Sequence, residues 1–224
     1  MSWEIEVYAP GPPPPPPTPV SVNATASDTT RGSSVTTVSN SNLTVAVGTH
    51  TVLLAWLAVQ PSVTGITVAW DPTGANQALT QIVSHQGDSN TLCTLWGLVA
   101  PVTGNKTLTA SWTGSSACVL TAAAFDHVNQ VGGGSSFANA SFNTGTSNTT
   151  SLSVSAGPQD AVVDFTANST TGNVSAPTQT QVFIDNILFY NSGGSYALNG
   201  PATFGWSLAN SVSWVEVGCS LVAG

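Results

Sequence analysis

Ten carboxylates, three histidines and three cysteines are the groups of this 224-residue chain with obvious chemical use. Paired carboxylates can run a hydrolysis when the two groups meet across one bond. Asp160 and Asp164 are close in sequence. They flank "AVV", and residues four apart in a strand are separated by ~13 Å, which predicts two charges at strand ends. Asp126-His127 looks more catalytic, yet neighbours on a strand point to opposite faces. His50 falls in a tight turn and His85 in a loop, and no His or Cys has a companion at metal-ligand spacing. "DPTGAN" at 71–76 and Asp88 offer oxygens of the kind calcium takes, but Pro and Gly at those places write a plain turn. "VGGGSS" at 131–136 lacks the lysine of a phosphate loop, and no Gly-x-Ser-x-Gly elbow opens a helix. Cys93, Cys118 and Cys219 sit in apolar strand text, odd in number and widely spaced, which predicts small buried hydrophobes rather than disulfides or a zinc site. The expectation is a protein that is not an enzyme, with no metal and no cofactor.

Composition narrows the rest. Only 5% of residues are charged, against about 25% in ordinary soluble domains. Arg31 and Lys106 are the only cations and the formal net charge is −8. Without a basic patch there is nothing to release counterions from phosphates, so nucleic acid is excluded as a partner. The same deficit argues against anionic membranes, and the apolar run at 52–59 is far too short to cross a bilayer. Residues 1–20 carry no basic n-region or apolar h-region of an export signal. A hydroxyl-rich, cation-poor chain without a leader suits a virus particle, assembled inside a cell and released by lysis. A secreted module is the alternative.

The elements that must position these residues read as strands throughout. Apolar alternation or apolar runs mark residues 34–38, 43–47, 51–59, 65–70, 79–84, 91–99, 106–112, 117–125, 151–155, 161–167, 181–190, 202–207 and 212–222, with Gly, Pro, Asn and Asp between them. No window holds the 3.6-residue period with helix caps. The fold class expected is all-β, an antiparallel β-sandwich of jelly-roll-like form. An internal repeat runs through it. "LTVAVGTHTVLLAWLA" (43–58) aligns with "LSVSAGPQDAVVDFTA" (152–167), and "SWTGSSACVLTAAAF" (111–125) aligns more weakly with "GWSLANSVSWVEVGC" (205–219). Residues 131–140 would join the two halves. Trp56, Trp96, Trp112, Trp206 and Trp214 fall in strand patterns and are expected in the core. Tyr190 and Tyr196, in the loop-like "FYNSGGSY", are the candidates for stacking on a surface glycan.

"NLTVAVGTHTVLLAWLAV", "TLWGLVAPVTGNKTLTASW" and the closing "GWSLANSVSWVEVGCSLV" resemble a β-sandwich domain common in bacteriophage and prophage structural proteins. A Leu-Trp-x-Leu-Val strand, a Pro-containing turn and a strand ending near Ser-Trp carry the likeness, which covers most of residues 35–222. It implies a structural or adhesive module, trimeric where it stands on a virion.

The first twenty residues complete the organisation. Trp3, Ile5 and Val7 alternate with polar residues, and with Tyr8 they form one amphipathic strand that lacks a partner for its amides. Such a strand can complete another protein's sheet. Pro12, Pro13, Pro14, Pro15, Pro16 and Pro17 then favour a polyproline rod, about 20 Å of semi-rigid spacer. The expected division is an anchor peptide (1–10), a linker (11–19) and a sandwich (20–224). The expected partner of the anchor is a major capsid protein or another virion protein, with the protein on the virion surface as a homotrimer. Host-surface glycans are the alternative partner, for a tail-fibre or adhesion module.

Overall fold

The computed structural model describes residues 13, 15–26, 28–169, 172–187 and 190–224. Trp3, Ile5, Val7, Tyr8, Pro12 and Pro14 lie outside the described residues. The described chain is an all-β, antiparallel sandwich.

Residues of the first half make β1 (Ser21–Thr25), β2 (Thr30–Val45), β3 (Val52–Val59), β4 (Thr64–Trp70), β5 (Gln77–Ala78), β6 (Thr80–Gln86), β7 (Leu92–Val99) and β8 (Gly104–Asp126). They form one sheet in the order β5-β4-β8-β3-β7-β6, with β1 and β2 also paired to β8. The second half makes β9 (Phe137–Thr149), β10 (Leu152–Val154), β11 (Ala161–Asn168), β12 (Val174–Ser175), β13 (Thr180–Ile187), β14 (Tyr190–Leu198), β15 (Ala202–Phe204) and β16 (Ser207–Leu221). Its sheet runs β12-β16-β11-β14-β13 with β9 on β16, and β10 and β15 form a separate two-stranded ribbon.

The two sheets follow one plan. β2, β8, β3, β7 and β6 of the first half stand in the order taken by β9, β16, β11, β14 and β13 of the second. Val52 faces Val99 and Phe125, and Ala161 faces Leu198 and Leu221. Residues 43–58 and 152–167 therefore align as their sequences do. The second stretch is corrected by two residues, since Phe125 corresponds to Leu221 rather than Cys219. Each sheet comes from its own half of the chain, which distinguishes this sandwich from a jelly roll whose strands alternate between sheets.

Burial explains the layering. β3 is apolar at every position and buried on both faces. Its residues Val52, Leu54, Trp56 and Ala58 meet Val163, Phe165 and Ala167 of β11 in the core between the sheets. Its other face, Leu53, Ala55, Leu57 and Val59, packs inside a fold-back of the first sheet with Trp70, Trp96, Leu108, Trp112 and Leu120. β8 makes that fold-back as one strand, pairing β4 along its first part and β3 along its last. Gly114, at φ 97°, lies in the stretch where the sequence predicted a break between strands.

Two contacts span the sheets away from the core. Arg31 Nε lies 2.5 Å from Asp185 Oδ2, which also accepts from Thr29 Oγ1 at 2.6 Å. The His85 ring of β6 stacks on Phe142 of β9, with centroids 3.6 Å apart.

Several elements depart from the sequence reading. β9 and β14 occupy Ser-, Asn- and Gly-rich text that looked like linker and loop. β14 carries Gly193 and Gly194 because large rings lie against it. A Cβ on Gly193 would come 2.6 Å from the Trp206 ring, and one on Gly194 would come 2.5 Å from Phe183.

Candidate functional site

Three places could carry function: the end where the proline segment joins the sandwich, the opposite end, and a polar cluster inside the second half.

At the joining end, Pro13, Pro15, Pro16, Pro17 and Pro19 are exposed, and the next residue, Val20, is buried. The Val20 N–H donates to Gln159 O, so the first core residue after the linker bonds to the second half while β1 pairs with β8 of the first. Ser21 Oγ lies 3.3 Å from His127 Nδ1, and Gly224 N–H donates to His127 O. Both ends of the described sandwich therefore converge on His127. Asp126 acts here as a bracket, accepting from Asn23 Nδ2 (3.0 and 3.1 Å) and Thr51 Oγ1 (2.6 Å). Asp126 and His127 thus take different partners.

The opposite end gathers the β6–β7 loop and the residues after β11. Tyr190 OH donates to Asn90 O at 2.9 Å and Ser169 Oγ donates to Asp88 Oδ2 at 3.1 Å. A cavity of about 180 Å³ lies there, lined by Gln60, Asn90, Ala117, Ser169 and Tyr190. This placement corrects the reading of the two tyrosines. Tyr190 is 2% exposed, a core residue of β14 whose hydroxyl is already bonded. Tyr196 is partly buried and meets Phe125 edge-on at 5.9 Å. Both belong to a strand with its inner face on the core, which leaves the Tyr190 ring no exposed face and the Tyr196 ring only part of one.

Other singled-out residues serve local structure. The Asp71 carboxylate caps its own turn through Ala75 N–H (2.9 Å) and lies 3.3 Å from Lys106 Nζ. These contacts hold it below its ordinary pKa, the Ala75 bond foremost. Cys93, Cys118 and Cys219 are buried and unpaired. Burial pushes the Cys118 thiol up to about 11 and raises the other two as well. Trp56, Trp96, Trp112, Trp206 and Trp214 are all buried.

The cluster inside the second half was not read from the sequence. Asp160 sits at the foot of β11, accepting from Gly157 N–H (2.7 Å) and Ala223 N–H (2.8 Å). Asp164, expected at a strand end, lies mid-strand and fully buried, and so does Glu216. Register brings them together. Asp164 faces Gly218, Thr166 faces Glu216, and both pairs project from the outer face of the sheet. Ser195 donates to Asp164 Oδ1 through its N–H (2.8 Å) and its hydroxyl (2.5 Å), and Trp206 Nε1–H donates to Oδ2 (2.6 Å). The polar neighbours of Glu216 are the Asp164 carboxyl and Thr150, and neither Glu216 oxygen has a partner among the described N–H and hydroxyl donors. Burial, then the charge of Asp164, drives the Glu216 carboxyl well above the ordinary range. Burial raises Asp164 too, against the pull of its donors. The arrangement is satisfied when Asp164 carries the charge and Glu216 keeps a proton to donate to it. Such a pair has the chemistry of an acid and its conjugate base, but both side chains are sealed from solvent. The signal in the sequence was one acid in each of two apolar strands; their meeting depends on register, which no spacing encodes.

No group of three or more metal-ligating side chains occurs among the described residues. Compared with known proteins, the chain matches no protein-family model and no curated protein at a significant level.

Proposed function

We propose that this is a non-enzymatic virion structural protein, a phage capsid decoration protein of the head-fibre kind. Residues 1–10 grip the shell, residues 11–19 form the spacer and residues 20–224 are displayed. One observation carries the reading: an exposed proline run ends abruptly at Val20, a buried residue bonded to Gln159 of the second half and followed at once by β1, which pairs with β8 of the first. A rod that ends on a rigid seat transmits the position of its far end instead of trailing as a tail. The charge-poor exterior fits the same role. Exposed hydroxyls on neighbouring strands bond each other, as Ser34 with Ser115, Thr37 with Ser111, Ser39 with Thr109 and Ser153 with Thr203. Such a surface holds few charges for salt to screen and few sites for trypsin-like cleavage.

On a particle the anchor would add as a strand to a sheet of the major capsid protein. Three copies around a symmetry axis would strengthen a weak single grip by avidity. The test is deletion of residues 2–9. The truncated chain should remain folded and soluble yet be missing from purified particles, as read by mass spectrometry of the particle fraction. Attachment that survives the deletion would overturn the anchor.

A further inference from the structure

The duplicated plan makes the second half's polar cluster informative. Ala55 faces Trp96 and Ala122, and Leu57 faces Leu120. At the matching places Asp164 faces Ser195 and Gly218, and Thr166 faces Glu216. Where the first half has Ala55, Leu120 and Trp96, the second has Asp164, Glu216 and Ser195. The packing differs accordingly. The first half's outer core is one continuous apolar cluster. The second half's is divided into a group around Leu152, Val154, Val162 and Phe204 and a group around Val174, Trp206, Leu208 and Trp214. The carboxyl pair bonds the second group and lies beside the first on the same face of the sheet. Trp206 reaches it from the second through Nε1. The Leu152 and Val154 side chains of the ribbon cover Gly218, the residue facing Asp164.

We propose that Asp164 and Glu216 form a proton-operated latch: while they share one proton they hold Trp206 and the β10–β15 ribbon against the second sheet, and loss of that proton releases both. Apolar packing of the first half's kind was available to this fold, so a polar pair here is a replacement with a distinct property. Its charge state can change, and when it does two like charges face each other in a sealed site. No lysine, arginine or histidine belongs to β9, β10, β11, β12, β14, β15 or β16, so none of these elements brings a cation to the pair. β9 contributes Asn143 opposite Glu216, and Asn143 Nδ2 ties the strand to Ser151 O at the foot of the ribbon. Asp185 of β13, Tyr190 and Tyr196 of β14 and Cys219 of β16 occupy alternate positions that face the other side of the sheet. Across the core, the Cys93 thiol feels the Glu216 charge.

The parts released would be the Trp206 segment, which bonds Asp164 through Nε1, and the ribbon tied to it through Thr150, whose remaining hold on the sheet is apolar packing against Val162 and Ala197. Thr150 N–H bonds Trp206 O, and Trp206 N–H bonds Thr150 Oγ1, so the two segments move together. Beside them is a cavity of about 140 Å³ lined by Thr149, Thr150, Ala176, Thr178, Gly205, Trp206 and Ser207. It gives water an approach to the pair once Trp206 swings away.

The test is hydrogen exchange of the full chain between pH 5 and pH 9.5, corrected for the intrinsic pH dependence of exchange, on wild type and Glu216→Gln. Gln keeps a donor toward Asp164 and has no proton to lose. In wild type, protection of residues 150–156 and 202–208 should fall by up to about tenfold per pH unit above the latch transition, while β3 stays protected. In Glu216→Gln both segments should stay protected across the range. The proposal is overturned if wild type and Glu216→Gln share one profile, or if β3 loses protection together with the ribbon. Should Glu216→Gln fail to fold, Asp164→Ala/Glu216→Leu takes its place, carrying the first half's residues. A flat profile there supports the latch, and the wild-type step there overturns it.

Discussion

Trp206 Nε1 donates to Asp164 Oδ2 across 2.6 Å in a site that water does not reach. A hydrogen bond to a buried charged group contributes about 1.5–3 kcal/mol. Trp206→Phe keeps the ring and removes the donor, so it should cost about that much in urea denaturation. Trp214 provides the control. Its Nε1 donates to Ser147 Oγ, a neutral and only part-buried partner. Trp214→Phe should cost about 1 kcal/mol.

The Arg31–Asp185 pair joins the sheets with Asp185 fully buried and Arg31 one quarter exposed. Removing one partner of such a pair leaves the other's charge uncompensated, a loss of about 3–5 kcal/mol when both are buried. Arg31 is partly solvated, so Arg31→Ala should fall near about 3 kcal/mol by thermal or urea unfolding. Arg31→Lys should recover only part of it, because an ammonium cannot reproduce the guanidinium geometry.

Glycine substitutions separate packing from backbone freedom. A Cβ on Gly218 would sit 2.5 Å from Val163 O, a backbone atom held in the sheet, while nothing lies within 4 Å of one on Gly134. Gly218→Ala should destabilise by at least about 1–3 kcal/mol, the cost of overpacking. Gly134→Ala should leave the thermal midpoint unchanged or slightly raised, since it removes unfolded-state freedom without strain.

Stability should peak on the acid side of neutrality. Glu216 is raised in the folded state, so the stability it contributes is complete below its ordinary value of 4.5 and lost as pH rises toward its folded value. Asp71 is lowered, so its contribution is present above 3.8 and lost as pH falls below that. The midpoint of unfolding should therefore be higher at pH 5 than at pH 8, and scanning calorimetry across that interval checks the sign.

The three thiols should resist alkylation in the folded protein. Burial keeps Cys118 protonated to about 11 and raises Cys93 and Cys219 further. At pH 8 iodoacetamide should label no cysteine in the folded chain and all three after denaturation, as counted by intact mass.

Much of this architecture was legible because its signals are local. The uninterrupted apolar run at 52–59 gives β3, a strand buried on both faces, and the Leu-x-Val-x-x-Gly pattern at 43–48 and 152–157 marks the repeat. β14 was hidden because its glycines are there for the Trp206 and Phe183 rings, and that requirement belongs to tertiary packing. Tyr190 was misplaced for the same reason: Gly-rich surroundings look like a loop until a ring from another strand fills the space. The Asp164–Glu216 pair joins residues 52 positions apart through strand register. Sequence spacing suggested Asp160 as the partner, but Asp160 is held at the foot of the strand by Gly157 and Ala223.

The convergence of Ser21 and Gly224 on His127 has a practical consequence for engineering. A cargo fused after Gly224 would emerge beside the exposed prolines that precede Val20 and compete with them for space. A cargo spliced into the β6–β7 loop near Asp88 would leave from the other end of the sandwich, with the length of the domain as its clearance.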